Sequence, residues 1–403
     1  MMRRVGIDDG RGFLLLTILL VTTPLHAGSD ENIDRLIDRK PVRRAATWLE
    51  TEVLDPALAP LSDLQAHLKE EHHLDIGAAW SLFLQAASGS HDDDELAASN
   101  FDVFGRWRPI EGGALGFQVR DRRNLNEVSS ADFAAAIDSL WRTTDTQTEG
   151  AFTALIQLWW QQRLLDGRVV VTAGKIDQSS YFNSNRFADS DDTMFMSRPL
   201  ASNPTRAFPG NGLGVAVVVT PDDHWYFGVG AGDANGSATT SGFNSVGDGD
   251  LFKVAEFGWT PQFEELGPGN YRFTINHTDA TSGTDENTAL SFSADQDLGP
   301  HWGAFVRYGT NEREVTSIAQ IVAAGVVYRG PFGFEHDVAG LGIIWGDPTS
   351  GSRRHQAGVE LFYRAQISPS MQLSPGVQFL FNPADSSDGD PVVVFGLRTR
   401  IRF

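Results

Sequence analysis

The sequence predicts an all-β protein, a transmembrane antiparallel β-barrel of about 16 strands with a short helical N-terminal segment. Segments of about ten residues that alternate between apolar and polar side chains recur along most of the chain. No apolar run reaches the roughly 18 residues of a membrane-spanning helix, and the mean hydropathy is -0.22. The 403 residues include 41 glycines and 26 phenylalanines, which favours many short strands with tight turns and aromatic bands.

Residues 1–27 are predicted to be a signal peptide. The apolar stretch at residues 13–21 follows Arg3, Arg4 and Arg11, and we expect cleavage after Ala27. A membrane anchor is the alternative, but the stretch is shorter than the roughly 20 residues that cross a bilayer as a helix. The sequence therefore favours export.

Residues 28–74 are predicted to form a helical N-terminal segment. Ser62 and Gln65 have the spacing of a capping box, and Leu64 and Leu68 fall on one helix face. Such a segment is either a plug inside the barrel lumen or a periplasmic extension. The plug is the preferred interpretation.

Residues 75–403 are predicted to be the barrel. An even number of strands closes an antiparallel barrel without an exposed edge. Sixteen strands also leave an aqueous interior, whereas eight would be filled by side chains. The alternating segments lie near residues 76–85, 99–108, 113–121, 150–162, 168–175, 211–220, 224–231, 251–260, 269–278, 289–296, 300–309, 318–328, 337–346, 355–366, 372–382 and 391–403.

The last strand distinguishes this barrel from a soluble sandwich or propeller. Apolar residues occupy every second position up to Phe403, while Arg398, Arg400 and Arg402 face the other way. Three arginines directed into a dry core would be very costly, but they can line a wet lumen. A terminal aromatic residue after such alternation is the usual outer-membrane assembly signal, so we expect the barrel-assembly machinery to bind through Phe403.

The connections alternate between short turns and long loops, as in outer-membrane barrels. Residues 122–149 and 176–210 are the longest connections. The first contains a helical pattern with Asp132 as candidate cap, which predicts a loop helix that narrows the mouth.

Composition excludes several functions. The net charge is -20, so a nucleic-acid partner is not expected. The chain has no cysteine, which excludes a thiol nucleophile and a cysteine-based metal site. Only four of its 32 basic residues are lysines, and 28 are arginines. The planar guanidinium group of arginine suits recognition of a solute or a fixed electric field across a pore.

Two stretches resemble the carbohydrate-selective outer-membrane porin family of the OprB type. They are GKIDQSSYFNSNRFADSDDTMFMSRPLASNP followed by FPGNGLG (174–214), and the C-terminal residues 354–403. The resemblance implies a sixteen-stranded barrel in a Gram-negative outer membrane and passive diffusion of mono- and small oligosaccharides. It also implies a constriction lined by arginines, carboxylates and aromatic residues.

Strand alternation and the family-like loop select the candidate site residues. A guanidinium group can donate to two neighbouring sugar hydroxyls, and an aromatic ring can stack on the apolar face of a sugar ring. The alternatives to a role in sugar binding are lumen lining without selectivity, ion pairing with nearby acids and, for the loop residues, a well hydrogen-bonded turn. The predicted lumen residues are Arg106, Arg108, Arg120, Arg272, Arg307, Glu360, Arg364, Arg398 and Arg400, with Trp159 and Phe362 for stacking, and Lys175, Asp177 and Arg186 for an inward-folded loop.

Three functions remain open from the residues themselves. A sugar-selective diffusion channel is preferred, and the alternatives are a porin for anions or small solutes and a non-conducting barrel that displays loops. An enzyme is not expected, because His224 and His277 have no evident nucleophile partner. No cofactor is expected; the fragments around Asp233 and Asp248 only partly match a calcium loop. Lipid contact and a homo-oligomer are further expectations.

Overall fold

A computed structural model describes residues 48–88, 94–146, 150–243, 247–312 and 315–403. One antiparallel sheet of seventeen strands contains all the strands of these ranges. The predicted signal peptide and residues 28–47 lie outside the described residues. The strands are β1 Leu74–Ala87, β2 Glu95–Ile110, β3 Gly113–Asn124, β4 Phe152–Leu164, β5 Val169–Ile176, β6 Gly212–Asp222, β7 Trp225–Asp233, β8 Leu251–Trp259, β9 Gln262–Phe263, β10 Gly267–Thr278, β11 Asn287–Leu298, β12 Trp302–Asn311, β13 Ile318–Arg329, β14 Val338–Pro348, β15 Gln356–Gln366, β16 Met371–Phe381 and β17 Val392–Arg402.

The sheet closes on itself. Each long strand pairs with its neighbour in sequence, and β17 pairs with β1, where Leu397 lies opposite Leu84. The Phe403 backbone N–H donates to the Ala78 carbonyl at 2.8 Å, and the Phe403 carbonyl accepts from the Ala78 N–H. The two-residue β9 pairs only with the start of β10, inside a turn. Sixteen strands therefore form the wall, and the predicted fold class is confirmed.

The two faces of the wall have opposite chemistry. Phe227, Phe273 and Phe395 are more than half exposed on the outer face. Trp225 stacks on Phe257 and Trp259 there, with ring centroids 5.2 and 5.8 Å apart, as expected for an aromatic girdle. Charged and amide side chains alternate with these residues and point inward.

Short turns join the strands at one rim, the turn end, which also carries Leu74 and Phe403. Long connections join them at the other rim, the loop end. The longest of these, residues 177–211, is here named the inner loop because it packs against the inward face of the wall. Phe195 of this loop contacts Phe305 and Phe362 of the wall at centroid distances of 5.5 and 4.8 Å. The apolar core therefore lies between wall and loop.

A π-helical turn, Leu49–Leu54, leads into helix α1, Asp55–His72, ahead of the barrel. The helix begins well before Ser62, which lies in its interior, so the predicted capping box at Ser62 is wrong. Gln65 instead donates to the Ile76 carbonyl at 3.0 Å. No residue of α1 is buried, and Lys69 pairs with Asp75 at the turn end. Its place in the lumen or the periplasm stays a prediction.

Two short helices lie in the long connections. Helix α2, Ser130–Ala136, begins after Ser129. The Ser129 hydroxyl accepts from the Asp132 backbone N–H, and the Asp132 carboxylate accepts from the Ser129 backbone N–H. Ser129 is therefore the cap and Asp132 its reciprocal partner, which corrects the predicted cap. Helix α3, Arg198–Ala201, lies in the inner loop. Among the residues described, no helix has the length and apolar character needed to cross a membrane.

Candidate functional site: the lumen and its inner loop

The inner loop is held to the wall by buried charged side chains. Glu360 of β15 is fully buried, and its carboxylate accepts the backbone N–H groups of Met196 and Ser197 at 2.7 and 2.9 Å. Arg398 of β17 donates to the carbonyls of Asp191 and Met194. A carboxylate and a guanidinium of the wall thus satisfy both kinds of loop backbone group, which would otherwise be buried unpaired.

Two more wall arginines bind loop carbonyls. Arg307 of β12 donates to Ser202 at 3.0 Å and to Leu200 at 3.3 Å, and it also reaches Ala188. Arg364 of β15 donates to the carbonyl of Thr193 at 2.9 Å. Residues 188–202 are therefore fixed by arginines from three strands of the wall, β12, β15 and β17.

An ion-pair network anchors the first part of the loop. Arg186 pairs with Asp295 and with Asp297, the second at 3.1 Å. Arg272 shares Asp295 at 3.1 Å, and Arg329 shares Asp297 at 3.0 Å. Each carboxylate serves two guanidinium groups, and the three arginines and two aspartates together carry one net positive charge.

A cavity of about 1040 Å³ runs beside the loop. At the loop end its wall includes Phe152 and Thr316, and at the turn end it includes His336, Gln372 and Arg402. Residues near both rims therefore line one cavity, and the inner loop forms part of its wall.

The lining of the cavity is rich in guanidinium. Nine arginines and six acidic residues of the described chain line it: Arg120, Arg122, Arg198, Arg206, Arg307, Arg329, Arg364, Arg400 and Arg402, with Asp145, Asp177, Asp189, Asp191, Asp192 and Glu335. Arg120 is held by a two-point pair with Asp102, at 2.7 and 3.1 Å. The Arg122 side chain has no hydrogen-bond or ion-pair partner among the described residues, and its Nε is a buried donor without an acceptor.

Acidic residues of the inner loop face these arginines. Asp192 lies 3.6 Å from Arg400, and Asp189 lies 3.6 Å from Arg307. Burial, reinforced by neighbouring Asp192, raises the pKa of Asp191 to about 7. Burial also raises the pKa of Asp177, against the hydrogen bonds that Asp177 accepts from Ser179. Carboxylates of the loop and arginines of the wall are thus paired at the cavity surface, and burial makes the Asp191 carboxyl group less acidic than usual.

The structure divides the predicted site residues into groups. The first lines the cavity and comprises Arg120, Asp177, Arg307, Arg364 and Arg400. The second is bonded to the loop or to its anchors, away from the cavity, and comprises Arg186, Arg272, Glu360 and Arg398. Arg106 points inward and is buried outside the cavity lining.

Four predicted residues lie away from the cavity for clear physical reasons. Trp159 and Phe362 face inward, but they are only 1% and 5% exposed because the inner loop covers them. Lys175 shares the outer face with Leu158 and donates to the carbonyl of Ala238 at 2.8 Å. Arg108 lies at the turn end, half exposed, and pairs with Asp75.

Phe152, Phe182 and Phe208 line the cavity and were missed from the sequence. Phe152 begins β4, with the Arg122 guanidinium carbon 5.7 Å from its ring centroid. Phe208 lies in the inner loop, beneath Arg206 at 3.8 Å. Phe152 follows an irregular connection and Phe208 lies within one, where alternation does not report direction. Only Phe208 carried a sequence signal, because Arg206 lies two positions before it.

The described part of the chain holds no group of three or more metal-ligating side chains. Asp233, in the fragment considered for calcium, is 1% exposed and accepts the Asn235 N–H at 2.9 Å. Its carboxylate is therefore engaged by its own turn.

Comparison with solved structures gives the class of protein. The high-pH structure of Pseudomonas putida OprB matches with TM-score 0.70 and 16% identity, over 85% of this chain and 97% of that chain. Its low-pH structure matches with TM-score 0.58 and 15% identity, over 85% and 96%. An anion-selective porin from Comamonas acidovorans matches with TM-score 0.51 and 10% identity, over 82% and 99%. The fold is that of an outer-membrane porin.

The family model named "Carbohydrate-selective porin, OprB family" matches residues 116–403, and the chain belongs to this family. A comparison with curated protein sequences gave no match. The protein is therefore a Gram-negative outer-membrane porin, a channel and not an enzyme.

Proposed function

We propose that this porin lets small carbohydrates diffuse passively through an arginine-lined lumen. The observation that carries the proposal is one cavity with lining residues near both rims, which include guanidinium groups, carboxylates and three phenylalanine rings. Sugars present adjacent hydroxyls that suit planar guanidinium donors, and ring faces that suit aromatic side chains. The family description agrees with this substrate class.

Arg122 and Phe152 are the proposed contact pair for the sugar. Arg122 has donors without a partner among the described residues, and the Phe152 ring lies beside it on the same cavity wall. A sugar whose hydroxyl oxygens accept hydrogen bonds from Arg122 would place its apolar face against Phe152. This pair replaces Trp159 and Phe362 as the candidate for stacking.

The test combines liposome swelling with block of ion current by glucose in planar bilayers. We expect Arg122→Gln to weaken the glucose block by about 2–10-fold, the effect of one lost hydrogen bond. Arg123→Gln is the matched control, because Arg123 is the next residue, points outward and pairs with Asp121. Equal glucose block in both variants would contradict the role of Arg122.

The same measurements separate the two alternative functions. A porin for anions is favoured by the excess of arginines over acidic residues in the lining. Strong anion selectivity without sugar-driven swelling would establish that function instead. A purified barrel with no conductance would indicate a display role.

Lipid contact, binding to the assembly machinery and oligomerisation are part of the proposal. The outer apolar belt supports lipid contact, and the terminal Phe403 supports recognition during assembly. A second copy would bind on the same belt, and the mass of the detergent-solubilised protein tests it.

A further inference from the structure

Arg206 is a buried positive charge whose guanidinium forms no ion pair with any described carboxylate. The residue is 2% exposed, and Glu256 and Asp189 act on it electrostatically without a direct hydrogen bond. Its Nε donates a long hydrogen bond of 3.4 Å to the Asn276 Oδ1, and its Nη2 has no partner. An uncompensated buried charge is costly, so such a group is a binding site for a negative charge.

A second unpaired donor belongs to the neighbouring side chain. Asn276 of β10 is 1% exposed, and its Nδ2 has no hydrogen-bond partner. If the Asn276 amide were flipped, its Nδ2 donor would face the Arg206 Nε donor, and no hydrogen bond could form. The Asn276 Oδ1 must therefore face Arg206. Two adjacent side chains therefore present N–H groups that lack an acceptor.

The inner loop holds Arg206 in place. Thr278 of β10 donates to the Ala207 carbonyl at 3.3 Å. The guanidinium carbon of Arg206 lies 3.8 Å above the Phe208 ring, which packs on Phe252 with centroids 4.9 Å apart. The donors are thus preorganised, so that binding costs little side-chain entropy.

Arg206 borders the lumen, because Arg206, Ala207 and Phe208 all line the cavity near its loop end, and Asn276 is in contact with Arg206. The carboxylates of Glu256 and Asp189 stabilise the positive charge of Arg206, and the neighbouring Arg307 guanidinium destabilises it. Burial lowers the pKa of Arg206 to about 9. The Glu256 carboxylate is already satisfied by Asn183, Tyr226 and Thr274.

We propose that Arg206 and Asn276 form an oxyanion-binding subsite in the lumen, which takes the carboxylate of a sugar acid. The inference deepens the proposed function, because it rests on the cavity being the solute path. A carboxylate offers two coplanar acceptors, which fit a guanidinium edge beside an amide donor. Inorganic phosphate shares this chemistry and is the second possible source of the oxyanion.

The test measures block of chloride current through the purified barrel in planar bilayers by glucuronate, glucose or inorganic phosphate. We expect glucuronate to block at least about tenfold more strongly than glucose, since its charged hydrogen bonds exceed neutral ones. Arg206→Gln removes the charge and should abolish this preference. Asn276→Asp is the second variant, because the new carboxylate would pair with Arg206 and occupy the subsite at nearly unchanged volume.

Arg353→Gln is the matched control, because Arg353 lies in a loop outside the cavity and pairs with Asp385. It should keep the full glucuronate preference. A stronger block by glucuronate than by phosphate identifies the sugar acid, and the reverse order identifies free phosphate; both support the oxyanion subsite. Equal block by glucuronate and glucose, or an unchanged glucuronate preference in both lumen variants, overturns it. Glucose-driven swelling is read separately, so that loss of the subsite is distinguishable from failure of sugar diffusion.

Discussion

At the scale of single residues, the arginines of this porin have two different roles. Arg398 and Arg307 donate to loop carbonyls, so much of their hydrogen-bonding capacity is used within the protein. Arg122 and Arg206 line the lumen, and each keeps a buried N–H group without an acceptor among the described residues. Inward direction is thus necessary for contact with a solute but not sufficient, because the inner loop competes for the same guanidinium groups.

Asp191 gives the lumen a pH-dependent charge. Its pKa is about 7, raised by burial and by Asp192, so the carboxyl group is mainly ionised at pH 8 and mainly neutral at pH 6. We expect anion permeability relative to cation permeability to rise as the pH falls across this interval. Reversal potentials in a salt gradient measure it.

Asp191→Asn should hold the ion selectivity near its low-pH value at both pH values. Asp166→Asn is the control, because Asp166 is exposed in the turn between β4 and β5, and asparagine tolerates its positive φ of 56°. If the selectivity of the Asp191 variant still followed pH as in the unmodified protein, another group would be responsible.

At the scale of elements, the inner loop is stabilised more by polar contacts with the wall than by regular structure of its own. Its helix α3 has only four residues, while Glu360 binds two consecutive backbone N–H groups of the segment before it. The loop therefore depends on long-range partners, which join residues more than 160 positions apart in sequence.

Glu360→Ala tests this dependence. It leaves the N–H groups of Met196 and Ser197 buried without an acceptor, at a cost of about 1–3 kcal/mol each. We expect faster proteolytic cleavage within residues 177–211 and larger fluctuations of the single-channel current. Glu360→Gln keeps one acceptor and should have a smaller effect, and Glu264→Ala, at an exposed turn, should have none. Identical current noise in all three would show that the loop does not need Glu360.

At the scale of the whole molecule, closure of the sheet depends on the pairing of the first and last strands. Nine residue pairs join β1 to β17, from Ala79–Arg402 to Ala87–Val394. Phe403 extends this ladder with the backbone bonds to Ala78. Closure removes the sheet edges that could not be satisfied in lipid.

Deletion of Phe403 should reduce the yield of folded barrel, because it removes two backbone bonds at the seam and the terminal aromatic group. Heat-modifiable mobility in gels and surface labelling measure the folded fraction. Phe403→Tyr keeps the aromatic ring and the backbone, and should assemble normally. Normal assembly of the deletion variant would contradict a role of Phe403 in assembly.

The sequence by itself determined the barrel, because strand alternation is a local property repeated along the chain. Sixteen segments, the direction of Arg398 and Arg400, and the long connection at 176–210 could all be read from spacing of period two. The start of helix α1 was misplaced, since capping spacing at Ser62 is a weak local signal that the rest of the helix overrides.

Only the tertiary structure decided which inward side chains meet the lumen. The inner loop covers Trp159 and Phe362, uses Glu360 and Arg398 as its anchors, and brings Arg206 beside Asn276, 70 positions further along the chain. The path of a loop follows no repeating pattern in the sequence. The pairing of buried charges depends on which groups the closed barrel brings together. For this reason the wall followed from the sequence, while the assignment of binding and anchoring residues followed from the packing of one loop against it.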